Sequence, residues 1–222
     1  MAVVDQRLLY WPTGSHDPAE SQSAIDGWLK ALEDIQACGA IVAGYIDRPG
    51  KLSVLNMLQG MAIDEPDFDV ATLTQGSRSL TDRDLFSKVL QPGERSPVFV
   101  EVSSLNNDRF AERNQEICFF YLNPGRTGEE LARVDLPRWA AQQPEVVEQV
   151  HGLLYHQCQI LLSSYPYVIT RADEEAVVGG QDRDYLDSWI ELTMQKHGVQ
   201  GDQTDKQSGK DIARASKMRH EM

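Results

Sequence analysis

The stretch that most constrains this chain is residues 40–46, AIVAGYI, set between Gly39 and the turn Asp47-Arg48-Pro49-Gly50. It carries no charge and is too short for a typical helix, so it reads as a strand buried on both faces. Such a strand needs neighbours along its edges and helices above and below it. Upstream, residues 2–11 (AVVDQRLLYW) read as another strand, stopped by Pro12. Between the two, residues 23–38 place Ile25, Trp28, Leu29, Leu32 and Ile35 at helical spacing, with Ser21 or Ser23 as cap and Gly39 as stop. Strand, helix and strand in that order predict a crossover with parallel pairing.

The remainder continues the mixture. A short helix is expected over 53–61, an acidic irregular stretch over 62–78, and a helix opened by Thr81 with Asp84 three residues on. Extended segments follow at 97–103, 116–123 and 131–137, the last two separated by the turn formers Asn123-Pro124-Gly125 and so readable as a hairpin. Helices are then expected over 144–163, 171–178 and 183–196. The pattern is α/β or α+β, a mixed sheet flanked by helices.

Composition narrows the function. The chain has 222 residues and a formal net charge of −13, which argues against gripping nucleic acid through bulk positive potential. It does not argue against cutting nucleic acid, because metal-dependent phosphodiesterases cluster carboxylates. Only residues 203–222 are locally basic, with five Lys and Arg against three Asp and Glu. No apolar run approaches the ~18 residues of a membrane span. The start shows no basic region followed by an apolar one, and Cys38, Cys118 and Cys158 read as reduced thiols of a cytoplasmic protein.

Familiar binding loops are missing. No phosphate-cradling glycine loop occurs, and Gly179-Gly180 reads as a helix-end cap. His151 and His156 lie five apart, on different helix faces, so they do not form a zinc pair. The cysteines sit in apolar runs, where a packed thiol is the ordinary state. Asp5 stands out between Val3-Val4 and Leu8-Leu9. It is either an outward residue of a half-exposed strand or a carboxylate that binds something, since a lone buried one costs energy. Asp173, Glu174 and Glu175 read as the acidic start of a helix, complementing its dipole. Asp47 reads as a turn residue and Glu94-Arg95 as a turn ion pair. Phe119, Phe120 and Tyr121, in a continuous apolar strand, read as core and not as a base-stacking platform.

Five stretches together resemble the NurA family of DNA nucleases. They are AGYIDRP (43–49), DRDLFSKVLQPGERSPVF (82–99), ICFFYLN (117–123), ARVDLPRWAA (132–141) and SYPYVITRADEEAVV (164–178), collinear from about residue 3 to about residue 212. The resemblance implies an RNase H-like mixed sheet flanked by helices, lacking its first core strands. Residues 1–200 would form the nuclease domain, incomplete at its N-terminus, and 201–222 a basic tail. It further implies DNA cleavage dependent on Mn²⁺ (or Mg²⁺), 5′→3′ end resection, a homodimer and a hexameric HerA-type ATPase partner.

Carried over residue by residue, Asp5 fits the family's second aspartate, although Gln6-Arg7 replaces the Gly-Ser that usually follows. Tyr165 fits the tyrosine of a Tyr-Pro motif, and Asp173 stands eight residues on, where the family often has His. The resemblance thus marks Asp5, Tyr165 and Asp173 as catalytic, with Asp5 and Asp173 as metal ligands. Arg95 and Arg171 within matching motifs, and Lys206 and Lys210 in the tail, are marked for DNA. The family's first Asp and its helix Glu have no counterpart, and no Asp-Gly-Ser occurs. Two readings follow: a nuclease, or a catalytically incomplete module that dimerises or docks on the ATPase.

Overall fold

The computed structural model describes residues 1–11, 17–50, 53–62, 80–125, 130–177 and 179–197. These fall into two units, Met1–Glu174 and Glu175–Met222. The first is built on a five-stranded sheet in the order β1-β2-β5-β4-β3. Its strands are β1 (Ala2–Val4), β2 (Val42–Asp47), β3 (Phe99–Val100), β4 (Ile117–Leu122) and β5 (Ala132–Pro137). β1 and β2 are parallel, as the crossover predicts, with Val4 opposite Gly44. The other pairings are antiparallel, including the expected β4–β5 hairpin. The architecture is therefore α/β with a mixed sheet.

The crossover helix α1 (Pro18–Ala37) starts earlier than either serine. Asp17 caps it by accepting the Ala19 N–H at 2.8 Å, and Pro18 fills the first turn, where its missing N–H costs nothing. Gly39, at φ 69°, ends it in the left-handed conformation that favours glycine. After α2 (Ser53–Ala62), α3 (Asp82–Val89) opens with a full capping box: Thr81 accepts the Asp84 N–H, and Asp84 accepts the Thr81 N–H at 2.7 Å. Buried Asp82 accepts the Val54 and Leu55 N–H groups and the Tyr121 hydroxyl, so it also secures the first turn of α2.

Alternation along the strands sorts side chains into two layers. Ala43, Tyr45, Phe120, Leu122, Ala132, Val134 and Leu136 face α5 (Pro144–Ile160), whose Val147, Val150, Leu154 and Cys158 close that core. On the other face Val42 and Ile117 meet Leu29 and Leu32 of α1 with Leu8, Leu9 and Phe110. Phe119 and Tyr121 meet Phe86 and Leu90 from α3 and its C-cap there. Phe119, Phe120 and Tyr121 are thus core residues, each at most 1% exposed.

Two strands are shorter than expected. The 2–11 strand ends at Val4, and the chain after Asp5 crosses onto the α1 face, burying Leu8 and Leu9. The 97–103 strand keeps only two ladder residues, because the buried Asn106 side chain takes over the next positions. Its amide donates to the Glu101 and Ile117 carbonyls, and its oxygen accepts the Ile117 N–H at 2.8 Å. Asn106 belongs to a π-helical segment, Leu105–Phe110, that no sequence pattern announced. Beyond β5 a single turn, α4 (Arg138–Ala141), leads into α5.

The helix expected over 171–178 is α6, Tyr167–Glu175. Asp173, Glu174 and Glu175 therefore close this helix; they do not open it. In the second unit the described residues form α7 (Gly180–Lys196), with Gly179 donating its N–H to Asp182 at 3.2 Å. On α7, Tyr185, Leu186, Trp189, Ile190 and Leu192 are exposed. The acidic stretch after residue 62 and the basic tail lie outside the described residues. None of the described helices is long and apolar enough to cross a membrane.

Candidate active site at the carboxyl ends of the parallel strands

Asp5 directly follows β1, and Asp47 is the last residue of β2. Both stand at the carboxyl end of the parallel pair, where ligands of open α/β sheets commonly sit. Ala43, Tyr45 and Asp47 alternate onto the α5 side of the sheet. On that side the Tyr165 ring packs edge-on against Tyr45, with centroids 6.0 Å apart and an interplanar angle of 83°. Tyr45 is itself fixed: its hydroxyl donates to the Ser164 carbonyl and lies 3.8 Å from Cys158 Sγ. The aromatic pair therefore places Tyr165 from the sheet, while the Ser163 hydroxyl accepts its N–H at 3.2 Å.

The Tyr165 hydroxyl lies close enough to the Asp5 carboxylate for Asp5 to act on it. Burial, the nearby Asp5 carboxylate and the charges of Asp173 and Asp47 all push its pKa well above the ordinary tyrosine value. The phenol accordingly stays neutral and acts as a donor. Of the residues singled out from sequence, Asp5, Tyr165 and Asp173 are thus brought together, though they are 160 or more positions apart for the Asp5 pairs. Asp5 and Asp173 are exposed and Asp47 is half-buried, so the group opens to solvent.

Asp47 is the residue that sequence reading missed. It is not merely a turn residue, because its charge acts on Tyr165 and Tyr45. Its only sequence signal is an acid closing a doubly buried strand, and its face became known only with the sheet. Asp173 sits in the last turn of α6, with Glu174 and Glu175 beside it. Carboxylates at that end face the negative pole of the helix dipole, so the placement costs stability. Their oxygen donors suit a hard cation. Among the described residues, however, no three His, Cys, Asp or Glu stand close enough to hold a metal ion as placed.

The candidate DNA-contact residues divide. Arg95 bridges Leu122, which pairs with Ala132, which pairs with Asp47, so Arg95 and Asp47 share one row across the sheet. Its guanidinium is committed inward, pairing with Glu148, donating to the Ser96 carbonyl at 3.0 Å and lying over Phe120. The expected Glu94–Arg95 pair is replaced: Glu94 instead accepts the Gln91 N–H at 2.8 Å. Arg171 is exposed on α6 and pairs with Glu174. Lys206 and Lys210 lie outside the described residues.

The model of the NurA domain matches residues 1–178 of this chain, which spans the whole sheet, α5, α6 and every member of the Tyr165 group. The chain belongs to the NurA family, a nuclease family. No curated protein matches the chain. No solved structure matches it either.

Proposed function

We propose that this chain is a metal-dependent DNA nuclease of NurA type on an RNase H-like core, acting in 5′→3′ end resection with a HerA-type hexameric ATPase and as a homodimer. The observation that carries the reading is the Tyr165 hydroxyl close to Asp5, with Asp47 and Asp173 near enough for their charges to act on the same phenol, in a solvent-open position. Asp5 and Asp173 would hold Mn²⁺ or Mg²⁺. Such ions commonly take one or two carboxylates and complete their shell with water and substrate phosphate, so a three-residue protein cage is not required. When bound, the ion supplies Lewis-acid polarisation of a phosphoryl oxygen. The protein's own part is to orient Asp5 through the neutral Tyr165 donor and to concentrate negative charge where a cation is wanted. Arg171 and Arg95, with Lys206 and Lys210 of the tail, would supply phosphate contacts that need no base specificity.

Incubation of end-labelled linear DNA with the chain and Mn²⁺ tests this. Cleavage is expected. Asp5→Asn should lower it by about 100-fold or more, in the range of lost acid–base or ligand groups. Tyr165→Phe should lower it by about 10- to 100-fold, as for groups that orient a ligand. No cleavage by the unsubstituted chain, alone or with the ATPase, would sink the reading.

A second reading has its own support. The exposed apolar side chains of α7 suit a catalytically incomplete module that dimerises or docks on the ATPase. Co-purification with the ATPase and no cleavage would favour it.

A further inference from the structure

On the face of the sheet opposite Tyr165, four charged side chains close on one another. Asp135 and Glu101 are at most 2% exposed, as is Arg133. Arg133 donates from Nε to Asp135 at 2.7 Å and from Nη2 to Glu101 at 2.7 Å. Its guanidinium lies 3.7 Å from the centre of the Phe119 ring. Burial alone would drain its charge, but Asp135 and Glu101 outweigh burial and hold its pKa above the ordinary value. The fourth member, Arg7, comes from the segment after β1: Nη2 lies 2.9 Å from Glu101 and Nε 3.8 Å from Asp135. Two cations and two anions balance, while Arg7 Nε and Nη2 and Arg133 Nη1 make no hydrogen bond among the described residues, so Arg7 is held by charge pairing alone.

Asp135 has one further contact, accepting the Leu8 N–H at 3.2 Å. Gly44 makes that contact possible. It is Asp135's partner across β2–β5, and a Cβ there would stand 2.5 Å from the Gln6 carbonyl oxygen and 3.2 Å from Leu8 N. The chain therefore leaves β1 after Val4, presents Asp5 to Tyr165, passes over Gly44 as Gln6, and is caught by the cluster through Arg7 and the Leu8 amide.

We infer that the charged set Arg7, Glu101, Arg133 and Asp135 is a positioning device for Asp5, pinning from behind the sheet the segment whose first carboxylate meets Tyr165. These are positioning residues and touch no substrate; their effect on cleavage rests on the nuclease reading, whereas their effect on Asp5 does not. Arg7→Gln removes the partly exposed member and leaves Arg133 in place, so the fold should persist. Gly44→Ala displaces Gln6 and Leu8 without removing a charge. Arg7→Lys restores the charge.

Heteronuclear NMR of the full chain provides the test. Arg7→Gln and Gly44→Ala should shift the Asp5 amide and the Tyr165 ring resonances, and should speed Leu8 amide exchange about tenfold or more. Arg7→Lys should return both toward the original values. Mn²⁺-supported DNA cleavage should fall by about 10- to 100-fold in the same two variants. Faster Leu8 exchange with unmoved Asp5 and Tyr165 resonances would overturn the inference, as would unchanged cleavage. If the unsubstituted chain cleaves no DNA, the nuclease reading fails alone, and the Asp5 and Tyr165 resonances still decide the positioning role. Should Gly44→Ala fail to fold, the two Arg7 variants carry the test.

Discussion

Burial treats the three cysteines differently. Cys118 and Cys158 are enclosed in the sheet and α5, and burial pushes each thiol up to about 11. At pH 8 only ~0.1% of each would be thiolate, the form that attacks a disulfide reagent. Cys38 caps α1 and is exposed. Titration with an aromatic disulfide at pH 8 should therefore register one rapid thiol in the folded protein and three in denaturant. Three rapid thiols without denaturant would mean that the α5 core opens readily. The buried charges follow a stricter rule. Asp135→Ala leaves Arg133 and Arg7 to share Glu101 alone, an excess positive charge in the interior, and should cost about 3–5 kcal/mol in urea unfolding. None of this follows from residue identity: RVDLP reads equally well as an ordinary alternating strand. Its face and partners come from Glu101 and Arg7, far away in sequence.

Elements show where local rules suffice. The Thr81–Asp84 box was legible because both partners lie within one turn, and it is present as read. Thr81→Ala should lower stability by about 1 kcal/mol, measured by urea midpoint. The 144–163 helix was legible from its apolar spacing, and Leu154→Ala in its buried stripe should cost ~2–5 kcal/mol. The start of α1 was not legible: Ser21 or Ser23 is the expected cap, but Asp17 caps the helix, with Pro18 in the first turn. Nor was the phase of α6. Three consecutive acids suggested a helix start, but the helix begins at Tyr167, after buried Pro166, and ends on them. That inversion yields a prediction. Neutralising a carboxylate at the negative pole relieves ~0.3–1 kcal/mol, so Asp173→Asn should raise the urea midpoint. If Asp173 is a metal ligand, the same substitution should lower Mn²⁺-dependent cleavage. A drop in both would mean that Asp173 serves the fold instead.

For the molecule as a whole, the raised groups act together at alkaline pH. Burial raises Cys118 and Cys158 from the ordinary 9.0 to about 11 and moves Tyr45 and Tyr121 upward as well. The folded state therefore holds protons that the unfolded chain releases. The associated stability is complete below pH 9 and is lost as pH rises through 11. A urea midpoint that is level up to pH 9 and falls between pH 9 and 11 is the expected result. A midpoint independent of pH across that window would contradict the burial of these groups. The charge of −13 belongs to this scale as well. It leaves DNA attraction to local cations, and of those described, Arg95 is paired with Glu148 and the exposed Arg171 with Glu174.

Readable from the sequence were the elements whose causes are local: the buried β2, the crossover that makes β1 and β2 parallel, the β4–β5 hairpin, the α3 cap and the apolar stripe of α5. Its motifs also pointed to the family. Each depends on periodicity or on partners within a few residues. Long-range packing sets the rest: β1 stops at Val4, where Gly44 leaves room for Gln6 to cross. It alone brought Asp47 to Tyr165, reversed the acids of α6, and placed Arg7 and Asp135 behind Asp5. These arrangements depend on residues distant in the chain, and no local pattern records which of them share a face.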